Sequence, residues 1–145
     1  MTLPKNFTTL AESQNYILGN VYEYGSIIDK RTGHETYIGD SYGDPTFALI
    51  DQNENWALMF GHDSYLWTLN KISNLNEELS SCADFFKWPY DARQINDFEI
   101  EILDDPWSDN PGIYSFNILT NDVKKIRDFS KVTVPYDSTA TKIVW

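Results

Sequence analysis

Residues 62 to 82 contain the side chains that could support nucleophilic catalysis. His62 and Asp63 are adjacent, and a carboxylate that orients an imidazole is a common arrangement for a general base. Cys82, the only cysteine, would be the nucleophile. No Gly-x-Ser-x-Gly elbow or cysteine-protease signature accompanies these residues, and neighbours at a strand end usually point apart. The sequence therefore favours a buried Cys82 and predicts no catalytic residue.

The segment Asp51-x-Asn53-x-Asn55 matches the opening of a calcium-binding loop, in which alternating oxygen atoms surround one cation. Such a loop needs glycine at its sixth position and glutamate at its twelfth, where this chain has Trp56 and His62. Asp and Asn are also frequent in turns, because they hydrogen-bond to their own backbone. No zinc-ligand spacing or glycine-rich phosphate loop occurs. We therefore expect a hairpin loop here, with neither a metal nor a cofactor.

The segment from Asp97 to Gly112, DFEIEILDDPWSDNPG, concentrates negative charge around one tryptophan. Side chains alternate along a strand, so its glutamates share one face and its isoleucines the other. We predict a partner-binding surface made of Glu99, Glu101, Asp104, Asp105, Trp107 and Asp109. The alternative is a solvated edge strand that resists aggregation through like charge, with Trp107 turned inward.

A second acidic group lies around the hairpin that contains the calcium-like segment. Asp40 and Asp44 precede this hairpin, and Asp51 and Glu54 lie in its loop. If these residues share one end of the sheet with the loop from Asp104 to Asp109, the protein presents one broad negative surface. We therefore add Asp40 and Asp44 to the predicted partner-binding residues.

The net charge of −11 limits the classes of partner. Nucleic-acid affinity depends on Lys and Arg that displace condensed counterions, so nucleic acids and anionic membranes are poor candidates. The same field attracts a basic protein, a cationic ligand or a metal ion, although solubility alone would also account for the charge. The distribution of the charge has to decide between a binding surface and solubility.

The chain of 145 residues has the size of a single domain, which we place at residues 1–145. Its 5 Trp, 9 Tyr and 8 Phe supply enough large side chains for a folded core. No internal repeat or linker composition marks a second domain. The start of the chain lacks the pattern of a secretory signal, and no long apolar run occurs, so we expect a soluble, cytoplasmic protein.

The elements expected to position these residues form an α+β domain with a mostly antiparallel sheet and two or three short helices. Thr9-x-x-Glu12 has the form of a capping box, and the spacing of the following apolar residues predicts a helix to about Leu18. Further helices are predicted over 76–86 and 123–129.

Short β-prone segments separated by turn residues predict a meander from Val21 onward. Its centre is a hairpin, with strands at 47–50 and 56–60, followed by a third strand at 65–69. The nearly continuous apolar strands indicate a sheet covered on both faces. Later strands are predicted at 97–103, 112–119, 131–134 and 141–145.

The hairpin sequence ALIDQNENWALMFG, in a small, acidic, aromatic-rich chain, resembles the immunity proteins of bacterial polymorphic and contact-dependent inhibition toxins. The resemblance covers about twenty residues and general character, so it transfers no functional residue. It implies a non-catalytic inhibitor that binds a cognate toxin domain, often a basic nuclease, and blocks its active site.

Two other functions remain open from the sequence. One is a small-ligand or carbohydrate-binding domain in which Trp56, Tyr65, Trp67 and Trp88 line a cleft. The other is a small hydrolase that uses His62 or a single acid. Neither has a diagnostic motif.

Overall fold

The fold is all-β in the part of the chain that the structure describes. The computed structural model describes residues 2–61, 64–69, 77–78, 86, 88–133 and 143–145. These residues form strands and connecting turns, and none of them lies in a helix. The strands make three antiparallel sheets of four strands each.

Each sheet is built from strands that follow one another along the chain. The first sheet contains β1 (Thr8–Glu12), β2 (Tyr16–Val21), β3 (Tyr24–Asp29) and β4 (Glu35–Asp40). The second contains β5 (Phe47–Ile50), β6 (Trp56–Phe60), β7 (Tyr65–Thr68) and β8 (Glu77–Glu78). The third contains β9 (Pro89–Gln94), β10 (Glu99–Asp104), β11 (Gly112–Asn117) and β12 (Val123–Asp128). Every described connection within a sheet is therefore local.

The second sheet lies between the other two, and its strand β6 is buried along its whole length. Trp56, Leu58 and Phe60 pack with the apolar face of the third sheet, which includes Ile100 and Phe116. The alternate residues of β6 pack instead with the inner face of the first sheet. The prediction of a sheet covered on both faces is confirmed, as are the hairpin strands at 47–50 and 56–60. The third strand, predicted at 65–69, is β7.

The predicted α+β class is wrong, and the N-terminal helix is the first error. Residues that matched a capping box and an apolar stripe form the hairpin of β1 and β2. The pairing shifts between Thr9 and Ala11, so β1 contains a bulge. One extra residue breaks the two-residue alternation of apolar side chains by which a strand is recognised in a sequence. The apolar residues of this segment therefore match the spacing of a helix better than that of a strand.

The helix predicted at 123–129 is also wrong, because this segment is the edge strand β12. Its side chains are almost all exposed, and four of its six residues, Lys124, Lys125, Arg127 and Asp128, are charged. Charged residues on an edge strand discourage pairing with another chain, and they leave no alternating apolar pattern to detect. A pairing irregularity opposite Ile113 and Tyr114 obscures the pattern further.

Other predicted elements have mixed outcomes. The predicted strands at 97–103 and 112–119 correspond to β10 and β11, whereas β9 was not predicted. In the predicted helix 76–86, Glu77–Glu78 form β8 and Phe86 is a buried core residue, and the remainder lies outside the described residues. Residues 131–133 and 143–145 are not in strands, and the rest of those two predicted strands is also outside the described residues.

The loop of the central hairpin is held by its two acidic residues. Asp51 is 1% exposed and accepts hydrogen bonds from the backbone of Asn55 (3.0 Å) and from Gln94 Nε2 (2.6 Å). Glu54 accepts from Ser13 Oγ (2.6 Å) and from the backbone and side-chain nitrogens of Asn15 (3.0 and 2.8 Å). These bonds join the second sheet to the third and to the first, so both carboxylates have structural roles.

Glu54 provides a test of this link. Burial raises the pKa of Glu54, but the hydrogen bonds from Ser13 and Asn15 outweigh it and hold the pKa below its usual value. The stabilisation is therefore present above the usual pKa of a glutamate and is lost as pH falls below it. We expect Glu54→Gln to lower the free energy of unfolding at neutral pH by about 1 to 3 kcal/mol, because charged hydrogen bonds are lost.

Urea denaturation across the acid range measures this effect. The variant should lose less stability on acidification than the wild type, while Glu35→Gln, at an exposed position in β4, should behave as the wild type. Equal acid sensitivity of Glu54→Gln and the wild type would contradict the assigned role.

Candidate functional site

The structure brings one part of the second acidic group together with the acidic loop that follows β10. Thr46 Oγ1, two residues after Asp44, lies 3.2 Å from the carbonyl oxygen of Pro89. Pro89 in turn pairs with Asp104 across the third sheet. The loop 41–46 and the loop 105–111 therefore lie at the same end of the molecule, which we call the acidic end. Asp51 and Glu54 lie at the opposite end of β5, so the second acidic group is divided.

Three of the predicted residues at the acidic end shape their own loop. Asp104 is 6% exposed and accepts a hydrogen bond from the backbone of Trp88 (2.9 Å), which removes its carboxylate from the surface. Asp105 has a φ of 54°, and its carbonyl accepts from the backbone nitrogen and the hydroxyl of Ser108 (3.0 and 2.8 Å). Trp107 is half-buried, with its ring centroid 5.5 Å from that of Trp88. These residues set the form of the loop.

Asp109 is exposed at the tip of this loop and forms an ion pair with Lys131 (2.6 Å). The hydrogen bond from the Lys131 ammonium holds the pKa of Asp109 below its usual value. Asp109 is therefore accessible, but its charge is compensated.

Glu99 and Glu101 lie on the outer face of the third sheet, as the alternation predicted, with Ile100 and Ile102 buried on the other face. Glu101 accepts from Arg93 Nε (2.8 Å) and lies 3.9 Å from Arg127 Nη1. The Arg93 guanidinium also lies 4.2 Å from the ring centroid of Trp145. Glu101 therefore belongs to a compensated network, apart from the acidic end.

Four tyrosines that are absent from the predicted binding residues lie on the exposed surface near Asp40. The side chains of Tyr22, Tyr24, Tyr37 and Tyr42 are 65, 59, 54 and 81% exposed. Together with Glu23, Asp40 and Asp44 they form what we call the tyrosine patch. Tyr22 and Tyr42 lie in turn segments, where no strand face buries an aromatic ring. An aromatic residue in a turn of the sequence could therefore have indicated exposed rings here.

Backbone packing fixes the direction of the two central tyrosines. Gly25 and Gly39 pair with each other across β3 and β4, and a Cβ at either would overlap a side chain of the second sheet, Met59 or Tyr65. Tyr24, next to Gly25, consequently points away from the core. The pairing shifts between Gly25 and Ser26, so Ile38 is an extra residue in β4 that lies in the core, and Tyr37 before it points outward like Tyr24. Their ring centroids are 6.4 Å apart.

Two contacts hold the rest of the patch in place. The backbone nitrogen of Ser41 donates to the carbonyl of Glu23 (2.9 Å), which joins the β2–β3 turn to the end of β4. Tyr22 has a φ of 50°, a conformation that is costly for a residue with a Cβ, and its carbonyl accepts from Asn20 Nδ2 (2.7 Å). The turn therefore presents its aromatic side chain at the cost of backbone strain.

The carboxylates of the patch have no counter-charge among the described residues. No Lys or Arg within the described ranges forms an ion pair with Glu23, Asp40 or Asp44. Asp40 instead accepts a hydrogen bond from the Tyr37 hydroxyl, which raises the pKa of Tyr37 to about 12. The patch therefore combines exposed aromatic rings with negative charge that no described cation compensates.

The residues considered for catalysis, metal binding and a cleft are described only in part. His62, Asp63 and Cys82 lie outside the described residues. No group of three His, Cys, Asp or Glu within the described residues could hold a metal ion. Of the aromatics predicted to line a cleft, Trp56 is a core residue, Trp88 packs against Trp107, and the Tyr65 hydroxyl donates to the carbonyl of Asp40 (2.7 Å). Trp67 borders a pocket.

Comparisons with known proteins do not assign the chain to a family. A scan against protein-family models gives no match, and a search of curated proteins finds no similar sequence. Within the described residues there is also no helix of the length and apolarity that a membrane span requires.

The contact between Tyr37 and Asp40 can be tested by alkaline titration. Because the pKa of Tyr37 is raised, its contribution to stability is present below the ordinary tyrosine pKa and is lost as pH rises toward about 12. We expect Asp40→Asn to return the pKa of Tyr37 toward its ordinary value of 10. NMR of ring-labelled tyrosine measures it, with Tyr37→Phe for assignment. Asp44→Asn is the matched control. Identical Tyr37 titration curves for the wild type, Asp40→Asn and Asp44→Asn would exclude the contact.

Proposed function

We propose that the protein is a non-catalytic binding protein that captures a basic protein domain through the tyrosine patch and the acidic end. The observation that carries this proposal is the group of four exposed tyrosines beside three carboxylates without a described cationic partner. The proposal assigns no catalytic residue and no cofactor to the chain.

Tyrosine is well suited to the centre of such an interface. It buries a large surface with few rotatable bonds, and it is enriched among the residues that contribute most to binding. The ring of Tyr24 and the neighbouring ring of Tyr37 offer faces to the Lys or Arg side chains of a basic partner. The tyrosines would therefore supply affinity.

The carboxylates would supply speed of association and selectivity. Negative charge around an interface accelerates encounter with a positive partner, and this effect weakens as salt concentration rises. Several other acidic residues are occupied within the protein, including Asp51, Asp104 and Glu101. Glu23, Asp40 and Asp44 are therefore the acids best placed to act on a partner.

We propose further that the partner is a toxin domain and that binding inhibits it, as the resemblance to immunity proteins implies. A nuclease toxin needs a basic groove for nucleic acid phosphates, and an acidic protein that fills this groove blocks the substrate. The cytoplasm is the proposed site of action, and a single cysteine, which allows no intrachain disulfide, agrees with it.

Charge reversal at matched positions tests the binding surface. The tagged protein would be used in pull-downs from lysate of its native host and with the co-expressed product of the adjacent reading frame, at low and high salt. Asp44→Lys should slow association with the retained partner, most strongly at low salt. Asp122→Lys makes the same change in charge in the β11–β12 turn, at the end of the molecule away from the patch, and should have a smaller effect.

The outcomes separate binding from inhibition. Equal loss of partner binding by the two variants would show that only net charge matters and would contradict the assigned surface. A partner that binds through the patch but keeps its own activity in the complex would contradict inhibition while leaving the binding function intact.

Tyr22→Gly tests whether the strained turn serves binding. Glycine tolerates a positive φ, so the variant should keep the free energy of unfolding within about 1 kcal/mol of the wild type. Loss of the ring should weaken partner binding by about tenfold or more, as for an aromatic hot-spot residue. Leu119→Ser, at an exposed position beyond β11, is the matched control. Isothermal calorimetry and urea denaturation measure both quantities, and unchanged affinity would remove Tyr22 from the interface.

A further inference from the structure

A pocket of about 440 Å³ opens between the first and second sheets, near the turn that joins β3 to β4. This volume is within the range of small-molecule sites. Its lining consists of Tyr16, Ile27, Asp29, Thr32, His34, Thr36, Trp67, Thr68 and Leu69. The pocket lies at the opposite end of β3 from Tyr24, so it is separate from the tyrosine patch.

The pocket exists because the inner face of the first sheet changes character along its strands. Leu18 and Ile27 pair across β2 and β3 and pack with the second sheet. One step further along the same face, Tyr16 pairs with Asp29. Polar groups thus occupy positions where the core pattern would place apolar ones, and the space beside them is open rather than filled by side chains.

The polar wall of the pocket is held in a fixed arrangement. Arg31 Nη2 donates to Asp29 Oδ2 (2.9 Å) and to the Tyr16 hydroxyl (3.0 Å). Arg31 Nε donates to the other oxygen of Asp29 (3.0 Å). This bidentate pair balances the one carboxylate in the lining, so the wall carries little net charge and favours neither an anion nor a cation.

The remaining lining combines apolar surfaces with hydroxyl groups and the imidazole of His34, a further hydrogen-bonding group. Tyr16 and Trp67 supply aromatic surfaces, and the core residue Ile27 supplies an aliphatic one. Thr36 presents a hydroxyl, and Thr32 Oγ1 accepts from the backbone of His34 (3.1 Å), which leaves its own hydrogen available for donation. A ligand that matches this lining is uncharged, has an apolar face and carries several hydroxyl groups.

We propose that this pocket binds a neutral saccharide of one or two rings. The apolar face of a sugar ring would lie against Trp67 or Tyr16, and its hydroxyl groups would hydrogen-bond to Thr32 and Thr36. This site is independent of the proposed capture of a basic partner and requires no catalytic step.

The indole signals of the labelled protein in NMR spectra give a direct test. D-glucose, D-galactose, N-acetyl-D-glucosamine, maltose and cellobiose would each be titrated into the full chain. We expect at least one of them to shift the Trp67 indole signal saturably, with assignment by Trp67→Phe. The Trp56 indole, which donates to the carbonyl of Asp97 (2.8 Å) in the core, should not move and reports that the fold is intact.

Two variants and a control locate the binding. Thr36→Val removes a hydroxyl from the lining and should weaken saccharide binding by about tenfold. Trp67→Phe should also weaken saccharide binding, and calorimetry measures both variants. If Trp67→Phe does not fold, the affinity of Thr36→Val alone tests the proposal. Thr9→Val, at an exposed position in β1, should bind as the wild type. Absence of a saturable Trp67 shift with every sugar, or binding unchanged in Thr36→Val, would overturn the proposal.

Discussion

The burial of β6 on both faces is the constraint on which the rest of the structure depends, because an isolated hairpin cannot protect it. All five of its residues, Trp56 to Phe60, are removed from water. Burying a large apolar side chain contributes roughly 1.5 to 3 kcal/mol, so this strand requires an apolar sheet on each side. The inner faces of the first and third sheets are thereby committed to the core. Recognition is left to their outer faces, their strand ends and their turns.

The candidate site follows from this arrangement. At Gly25 and Gly39 the first sheet approaches the second so closely that no side chain fits between them. The residue next to Gly25 on the outer face, Tyr24, can then be large without affecting the core. Tyr37 lies beside it, turned outward by the extra residue Ile38 in β4. An aromatic residue usually contributes most to stability when it is buried, so an exposed pair beside two more exposed tyrosines points to an external contact.

The sequence predicted the centre of the fold better than its periphery, and the difference has a physical origin. Strand β6 is identifiable because a short apolar run bounded by turn residues is typical of a strand buried on both faces. Strands β1 and β12 were assigned as helices because a bulge and a charged edge remove the alternating pattern. Among the proposed binding residues, Asp40 and Asp44 were predicted from charge alone. The internal roles of Asp104 and Glu101 were not, because a sequence does not show which acids find partners at long range.

Net charge is consequently a poor guide to a binding surface unless the paired charges are first set aside. The described acids of this chain divide into those that hydrogen bonds or ion pairs occupy, such as Glu54, Asp51 and the exposed Asp109, and those that have no cationic partner among the described residues. Only the second group projects an electrostatic field that can attract a partner.

The same distinction separates the two proposed sites. The carboxylate beside the pocket, Asp29, is balanced by Arg31, whereas Asp40 in the tyrosine patch bonds to a neutral phenol. One end of the first sheet is thus suited to an uncharged ligand and the other to a cationic surface. Because packed strands separate the two sites, a result at one site does not decide the proposal for the other.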